Sequence, residues 1–334
     1  MAFDLTKPID ISAFNDTVKN YQKDIKKLPM LAAQDSLKYF TAKTGIRTSY
    51  VITTAVDKTI SKKYTGTFTG DKQIGTMENR TLTTYPIVAE MSDEPEKYRN
   101  SYIDLLFNEG VAAAVDPAKQ HRFLLWLAQY GVMIASQDLY NVIWTAKFDA
   151  TKTGIEDSFD GWEEIIRKAI VDGTISAANK NYYDAKGLFT SANIGDKLIE
   201  MWRMAHPKMR MLGGDMHTSV DMGDMYDDWY REEHDKPPMV DTAGQVYLEG
   251  SNGKCRIIRH ANLSNQRVSL TTKDNMLWGT DKPADMSNMR AFESGNPYKF
   301  TATMKYIYGQ QFESLNWRRF ITNKRYDETS GSGS

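Results

Sequence analysis

An acidic stretch over residues 215–235 holds the side chains best suited to chemistry. Its carboxylates, with His217 and His234 nearby, are Asp215, Asp221, Asp224, Asp227, Asp228, Glu232, Glu233 and Asp235. Clustered oxygen ligands suit magnesium or calcium, and paired carboxylates can divide the roles of acid and base. The spacing matches neither an EF-hand loop nor a His-Glu-x-x-His helix. A solvated helix face, shared by Asp224, Asp227, Asp228 and Arg231, is therefore favoured over a metal site.

The other reactive residue types carry weaker signals. His121, His206 and His260 are isolated in sequence, which favours capping, surface or core roles. Cys255 lies in an alternating segment, where a half-buried thiol is expected. The chain contains no phosphate-binding Gly-Lys-Ser/Thr sequence and no Gly-x-Ser-x-Gly elbow. We therefore expect no catalytic residue, no metal and no cofactor.

Composition excludes further classes of protein. The chain has 334 residues, of which 41% are hydrophobic, so it can bury a sizeable core. Lys and Arg number 42 against 43 Asp and Glu, for a net charge of -1, so any contact with nucleic acid must be local. With Cys255 as the only cysteine, an internal disulfide and a multi-thiolate zinc site are excluded. No secretion signal opens the sequence, and its longest near-apolar run, 123–135, is too short for a membrane span, so we expect a soluble protein.

The first part of the chain predicts an arm followed by a long hairpin. Residues 1–45 suggest helices at 16–27 and 32–40, separated by Pro29. Residues 48–60 and 81–88 are rich in Thr and β-branched side chains, with Gly66, Gly70 and Gly75 between them. A two-stranded ribbon is marginal alone in water, so the hairpin should lie on another surface. Its lysines predict that this surface is acidic.

Residues 93–147 predict helices. A first helix is expected to end near Ala114, and Asp116 followed by Pro117 is a good start for a second. Aromatic and apolar side chains then recur at spacings of three, four or seven, at Phe123, Trp126, Tyr130, Met133, Tyr140 and Trp144. This spacing places them on one face, which is typical of core packing. A helix over 117–147 would be a spine about 45 Å long.

Residues 148–300 predict a mixed module. Helices are expected at 162–171, 193–205 and 220–233, with a strand at 209–212 that ends at Gly213-Gly214 and further strands that begin at Val246, Arg256 and Arg267. A polar turn at 273–275 opens the phrase Met276-Leu277-Trp278-Gly279-Thr280-Asp281. A long alternating segment at 299–321 follows. The tail Ser-Gly-Ser-Gly-Ser at 330–334 suggests a linker or a disordered end.

This order of parts resembles the tailed-phage major capsid proteins of the Hong Kong 97 type over residues 20–325. The segments that carry the resemblance are SLTTKDNMLWGTD at 269–281 and GQQFESLNWRRFIT at 309–322. The resemblance implies an α+β fold divided as follows: an N-terminal arm (1–45), an extended hairpin called the E-loop (46–92), a peripheral domain with the spine helix (93–153), an axial domain (154–300), a return strand of the peripheral domain (301–328) and a flexible tail (329–334). No fused scaffolding domain is expected, and no cross-linking lysine or asparagine can be matched.

The resemblance also implies a function. A major capsid protein of a tailed double-stranded DNA phage assembles through pentamers and hexamers into an icosahedral shell in the host cytoplasm. Its partners would be further copies of itself, scaffolding, portal and decoration proteins, and weakly contacted packaged DNA, with no membrane. An encapsulin-like nanocompartment shell is the alternative, and a metal-dependent hydrolase that uses the 215–235 carboxylates is a second. Residues expected at subunit interfaces are Lys58, Lys62, Lys63, Phe68, Lys72, Asp221, Asp224, Asp228 and Glu232.

Overall fold

The computed structural model describes residues 37–57, 61, 63, 75–93, 117–242, 244–292 and 299–323. Its helices are α1 (Pro117–Val142), α2 (Trp162–Val171), α3 (Ile194–Met204), α4 (Pro207–Leu212) and α5 (Val220–His234). Its strands are β1 (Thr41–Lys43), β2 (Ser49–Asp57), β3 (Gly75–Thr83), β4 (Tyr85–Asp93), β5 (Tyr182–Tyr183), β6 (Gly214–Ser219), β7 (Cys255–His260), β8 (Ser269–Thr271), β9 (Met276–Gly279), β10 (Arg290–Phe292), β11 (Phe300–Phe312) and β12 (Phe320–Asn323).

The first sheet is built around the 13-residue strand β11. Its order is β1-β9-β11-β10, and β4 also pairs with β11. Strand β4 pairs antiparallel with residues 300–308 of β11, and β9 pairs antiparallel with residues 309–312. Helix α1 packs on this sheet through Ala128, Val132, Ala135 and Leu139, which lie on one face because their spacing is three or four. The amide of Gln310 donates to the carbonyl of Ile143 at 2.8 Å, so a buried side chain of the sheet satisfies the end of the helix.

Strands β2 and β3 form the predicted hairpin, which lies on the end of β11. They are antiparallel from Ser49↔Thr83 to Asp57↔Gly75. At its base, Ile52 and Leu82 pack with Ile46 and Leu277. The backbone that connects β3 to β4 passes beside Gly309 of β11. A Cβ at position 309 would meet the carbonyl oxygen of Thr83 and lie 2.9 Å from Cα of Thr84. A glycine is therefore required there for the two backbones to cross.

The second sheet has the order β5-β12-β8-β6-β7. One face is apolar and packs against α3 and α5, through Met216, Ile257, Leu270 and Ile321 among others. Successive residues of a strand point to opposite faces. The other face therefore carries His217, Ser269 and Thr322, which are nevertheless buried against the cluster that contains Trp144 and Trp162. This sheet thus joins the two larger hydrophobic clusters, with a polar layer at the junction.

Several helices agree with the sequence-based predictions. Helix α2 has the predicted bounds, α3 is one residue shorter at each end, and α5 begins at the predicted residue and ends one residue later. The spine helix α1 begins at Pro117 as predicted but ends at Val142, so the prediction of 147 is wrong. Residues 143–147 bend away because their carbonyls and amides bond to α2 and to residues 156 and 161. The predicted helices at 16–27 and before Ala114 lie outside the described residues.

The strand predicted at 209–212 is wrong. These residues form α4, with Pro207 at the first helical position and His206 accepting a hydrogen bond from the amide of Lys208 at 3.1 Å. Proline favours that position because its missing N–H needs no partner there. A short apolar run does not distinguish a strand from a helix. The strand of this region is β6, which Gly214 begins rather than ends.

Two other strand predictions need correction. The run 81–88 is not one strand, because β3 ends at Thr83 and β4 begins at Tyr85, where the chain passes from the hairpin into the sheet. The strand predicted to begin at Val246 is reduced to isolated bridges, Val240↔Val246 and Tyr247↔Arg256. Within the described residues, none of the helices combines the length and apolar character that crossing a bilayer requires.

Candidate functional site

Helix α5 carries most of the acidic stretch. Ser219 caps it by accepting a hydrogen bond from the amide of Met222 at 3.2 Å. The buried face is formed by Met222, Tyr226, Trp229 and Tyr230. Trp229 covers Gly195 of α3 so closely that a Cβ at position 195 would overlap its ring. The apolar face is thus fixed against α3, and the acidic face is left at the surface.

Arginines of the same chain pair with several of these carboxylates. Arg259 of β7 donates to Asp224 at 3.1 Å and to Asp227 at 2.6 Å. Asp228 pairs with Arg231 one helical turn away at 3.4 Å. The predicted face of Asp224, Asp227, Asp228 and Arg231 therefore exists, but β7 neutralises part of its charge. No pattern in the sequence predicts the contact with Arg259, which lies 35 residues from Asp224.

The remaining carboxylates of α5 face solvent. Asp221 accepts a hydrogen bond from the side chain of Asn265 at 2.6 Å. Glu232 and Glu233 are exposed and have no ion-pair partner among the described residues. In the part of the chain that the structure describes, no group of three His, Cys, Asp or Glu side chains could hold a metal ion. The end of α5 is therefore a free negative surface rather than a pocket.

The hairpin has two different faces. Its inward face meets the end of β11: Thr54 donates to the carbonyl of Glu313 at 3.2 Å, and Arg80 donates to Gln311 at 3.1 Å. On the outward face, Val51 is 56% exposed and Met77 is 66% exposed, with Thr53 hydrogen-bonded across to Asn79 between them. Of the lysines predicted at interfaces, Lys63 is exposed, whereas Lys58, Lys62, Lys72 and also Phe68 lie outside the described residues.

Ionisable groups are buried in the polar layer of the second sheet. Asp215 of β6 is bound by the guanidinium of Arg256 at 2.7 and 2.8 Å. Burial raises the pKa of Asp215, and Arg256 opposes that shift. On the next residue of the same face, the ring of His217 hydrogen-bonds to that of His260 at 2.8 Å. Burial lowers the pKa of His217 to about 3, with Arg256 adding to the shift.

The isolated residues have structural positions. His206 caps α4, and His260 is buried in the core. Capping and core packing are two of the roles expected for these histidines. The side chain of His121 lies outside the described residues. Cys255 is completely buried rather than half-buried, and burial raises the pKa of its thiol. A buried neutral thiol is a poor nucleophile.

Comparisons with known proteins agree on the fold. No protein-family model and no curated protein sequence matches the chain. Among solved structures, a chain of the satellite phage P4 procapsid with its size determination protein aligns at a TM-score of 0.55 and 10% identity, over 93% of this chain and 98% of that one. The chain has the Hong Kong 97-type capsid fold.

Other structures with this capsid fold align over similar lengths. A chain from the capsid of an empty GTA particle gives a TM-score of 0.52 at 10% identity, over 87% of this chain and 89% of that one. A chain from the capsid of cyanophage A-1(L) gives 0.52 at 13% identity, over 90% and 93%. The Hong Kong 97-type fold that the order of segments predicted is therefore confirmed, and it extends over nearly the whole chain.

Proposed function

We propose that this chain is the major capsid protein of a tailed double-stranded DNA phage. The observation that carries the proposal is the alignment with the phage P4 procapsid chain over 93% of this chain and 98% of that one. Because the alignment spans nearly all of both chains, the proposal covers nearly all of this chain and not only a shared module. The chain would then form an icosahedral shell of hexamers and pentamers around the genome.

The parts of the fold can be assigned on this basis. The hairpin of β2 and β3 is the E-loop of 46–92, and α1 is the spine of the peripheral domain of 93–153. The axial domain of 154–300 supplies α3, α4 and α5 and most of the second sheet. In the return segment of 301–328, β11 belongs to the first sheet and β12 to the second. Two hydrophobic clusters support two packing units, since α1 packs in one and α3 and α5 pack in the other. The first cluster also includes Trp162 and Ile166 of α2, from the 154–300 segment.

Assembly is supported by what the isolated chain leaves uncovered. The hairpin rests on β11 only through its inward face, and a two-stranded ribbon is marginal when its other face is in water. Val51 and Met77 on the outward face are apolar and exposed. A neighbouring copy that covers this face would bury both side chains. We therefore propose that the hairpin with its lysines forms one side of a subunit interface. Asp221 and Glu232 of α5, which have the opposite charge, would form the other side.

The proposed capsid function implies which partners the protein has and where it acts. Further copies of the chain are the main partner, and scaffolding, portal and decoration proteins together with packaged DNA complete the particle. The protein would act in the virion after assembly in the host cytoplasm, without enzymatic activity. An encapsulin-like shell would share the fold. No group of carboxylates in the described residues favours the hydrolase.

Sedimentation and negative-stain electron microscopy of the purified chain test the proposal. We expect capsomers or closed shells at high concentration, with or without a scaffolding protein. DNA-filled heads in infected cells separate a phage shell from a nanocompartment. A chain that remains monomeric under all these conditions would contradict the proposal.

A further inference from the structure

Basic side chains gather around Trp317, on the loop between β11 and β12. The ring of His206 contacts Trp317 edge to face, with centroids 4.5 Å apart. The ammonium of Lys180 lies over the same indole, 5.4 Å from its centroid. Burial lowers the pKa of His206, and the nearby positive charges of Arg318 and Lys208 lower it further. We call Lys180, His206, Lys208, Trp317 and Arg318 the Trp317 patch.

The positive charge of the Trp317 patch is not neutralised by its surroundings. The patch is built from segments 174–181, 205–212 and 313–319, in which Glu313 is the only acidic residue. Glu313 is already paired with Arg319 at 2.7 Å. Lys208 and Arg318 have no acidic partner among the residues that the structure describes. Since the whole chain has a net charge of -1, this is a local excess.

Hydrogen bonds hold the patch in shape. Asn181 donates to the carbonyl of Leu315 at 2.6 Å, which ties the first segment to the third. Within the third segment, Asn316 accepts from the amide of Arg318 at 3.1 Å. Asn275 accepts from the amide of Ser314 at 2.8 Å. The loop is therefore fixed before a partner arrives, which reduces the entropy lost on binding.

We propose that the Trp317 patch binds the phosphate backbone of double-stranded DNA, and hence that it lies on the genome side of the shell. The inference rests on the proposed capsid function. Lysine and arginine side chains without acidic partners can bind phosphates and release the counterions condensed on the duplex. Such contacts carry no sequence information, which suits a protein that meets every part of a genome.

The acidic face of a second copy is the competing partner, and the structure favours it less. Asp224, Asp227 and Asp228 of α5 are already paired with Arg259 and Arg231 within their own chain. A basic patch that docked on them would have to compete with these arginines. Asp221 and Glu232, which no arginine of the described residues pairs with, are the carboxylates proposed above to meet the hairpin. DNA phosphates have no such internal partners.

The test is the salt dependence of binding between the unassembled full-length chain and a short fluorescent DNA duplex. We compare Lys180→Glu/Lys208→Glu with the control Lys236→Glu/Lys282→Glu, which changes the net charge equally at exposed lysines outside the patch. Fluorescence anisotropy gives the affinity at each salt concentration. Losing two phosphate contacts should lower the slope of log K against log salt by about 2 in the patch variant. The control variant should keep the wild-type slope.

Each outcome has a definite meaning. Equal slopes in both variants, or no binding by the wild type at low salt, would overturn the inference. A patch variant that binds DNA like the wild type but no longer assembles in sedimentation would assign the patch to a subunit contact and overturn it as well. If wild-type chains never assemble while only the patch variant loses DNA binding, DNA binding by the patch stands, and the capsid proposal fails together with the placement on the genome side.

Discussion

The imidazoles of His217 and His260 are hydrogen-bonded to each other, Nδ1 to Nε2, at 2.8 Å. Both side chains are buried, and the ring of His260 lies 4.7 Å from that of Trp144. The pair therefore sits in the polar layer between the second sheet and the cluster at the end of α1. Groups that face it are Arg256 with Asp215, Tyr39 and Lys38. A proton added to either ring would place a charge in this buried layer beside Arg256, whose guanidinium already binds Asp215.

Acid should therefore loosen this junction. Burial lowers the pKa of His217 to about 3 and also lowers that of His260, whereas unfolded histidines titrate near 6.5. The unfolded state thus binds more protons, so stability is intact above pH 6.5 and falls as the pH drops toward 3. Each histidine costs up to about 1.4 kcal/mol per pH unit. Urea denaturation at pH 7 and pH 5 measures the loss.

The matched variants are His217→Gln/His260→Gln and His234→Gln, the latter at an exposed position of α5. The double variant is expected to be less stable than the wild type at pH 7, with a smaller loss between pH 7 and pH 5. His234→Gln should keep the wild-type pH dependence. Parallel pH profiles for all three proteins would show that the buried pair does not control acid stability.

The helices could be predicted because their signals are local. The apolar spacing of Trp162, Ile165, Ile166 and Ala169 and the cap at Ser219 are set by residues within a turn or two. The register of the hairpin and the histidine pair could not be predicted. His217 and His260 are 43 residues apart, and only the parallel pairing of β6 with β7 brings them together. The acidic run could be recognised in the sequence. The pairing of Arg259 with Asp224 and Asp227, which neutralises part of its charge, could not be predicted.

Gly309→Ala should be among the most damaging small substitutions. The added methyl group would strike the backbone of Thr83 and Thr84, which cannot turn aside. At Gly279, by contrast, it would meet the side chain of Leu82 at 2.6 Å, which can shift. Overpacking of this kind costs about 1–3 kcal/mol, and we expect Gly309→Ala at the upper end and Gly279→Ala at the lower. Thermal unfolding of both variants gives the order, and the reverse order would disprove the crossing.

Removing Arg256 should destabilise the second sheet. Asp215 would remain buried without its partner, and leaving a buried acceptor unsatisfied costs about 1–3 kcal/mol. The side chain of Arg256 is 41% exposed, so the loss should be smaller than for a fully buried pair. Arg256→Met tests this in urea at pH 7. Because Arg256 opposes the burial that raises the pKa of Asp215, the variant should recover stability as the pH falls and the carboxylate takes up a proton. Asp215→Leu/Arg256→Met should be more stable than Arg256→Met alone.

The outward face of the hairpin should matter for assembly and not for folding. Val51→Ser/Met77→Ser changes exposed side chains only, so the free energy of unfolding should move by no more than about 0.5 kcal/mol. Shell yield in sedimentation should nevertheless fall, because a neighbouring copy would lose apolar contacts. Val171→Ser, at a position 76% exposed on α2, is the control. Unchanged yield in the hairpin variant would remove this face from the interface.

The proposed subunit contact between the hairpin lysines and the α5 carboxylates should depend on charge. If Lys62 and Lys63 meet Asp221 and Glu232 of a neighbour, Lys62→Glu/Lys63→Glu should slow or block assembly. Exposed pairs are worth only about 0–1 kcal/mol each, but a shell repeats every contact many times. Wild-type assembly should also weaken with salt, since the Debye length falls from about 10 Å at 0.1 M to about 3 Å at 1 M.

Reversal of both sides makes this test specific. Asp221→Lys/Glu232→Lys added to Lys62→Glu/Lys63→Glu restores opposite charges and should restore the yield, measured by sedimentation across the salt series. Lys186→Glu/Lys282→Glu, at exposed lysines elsewhere, controls for net charge. If the reversed protein assembles no better than Lys62→Glu/Lys63→Glu, these residues do not meet. If all variants follow the wild-type salt curve, apolar packing such as that of Val51 and Met77 governs the contact instead.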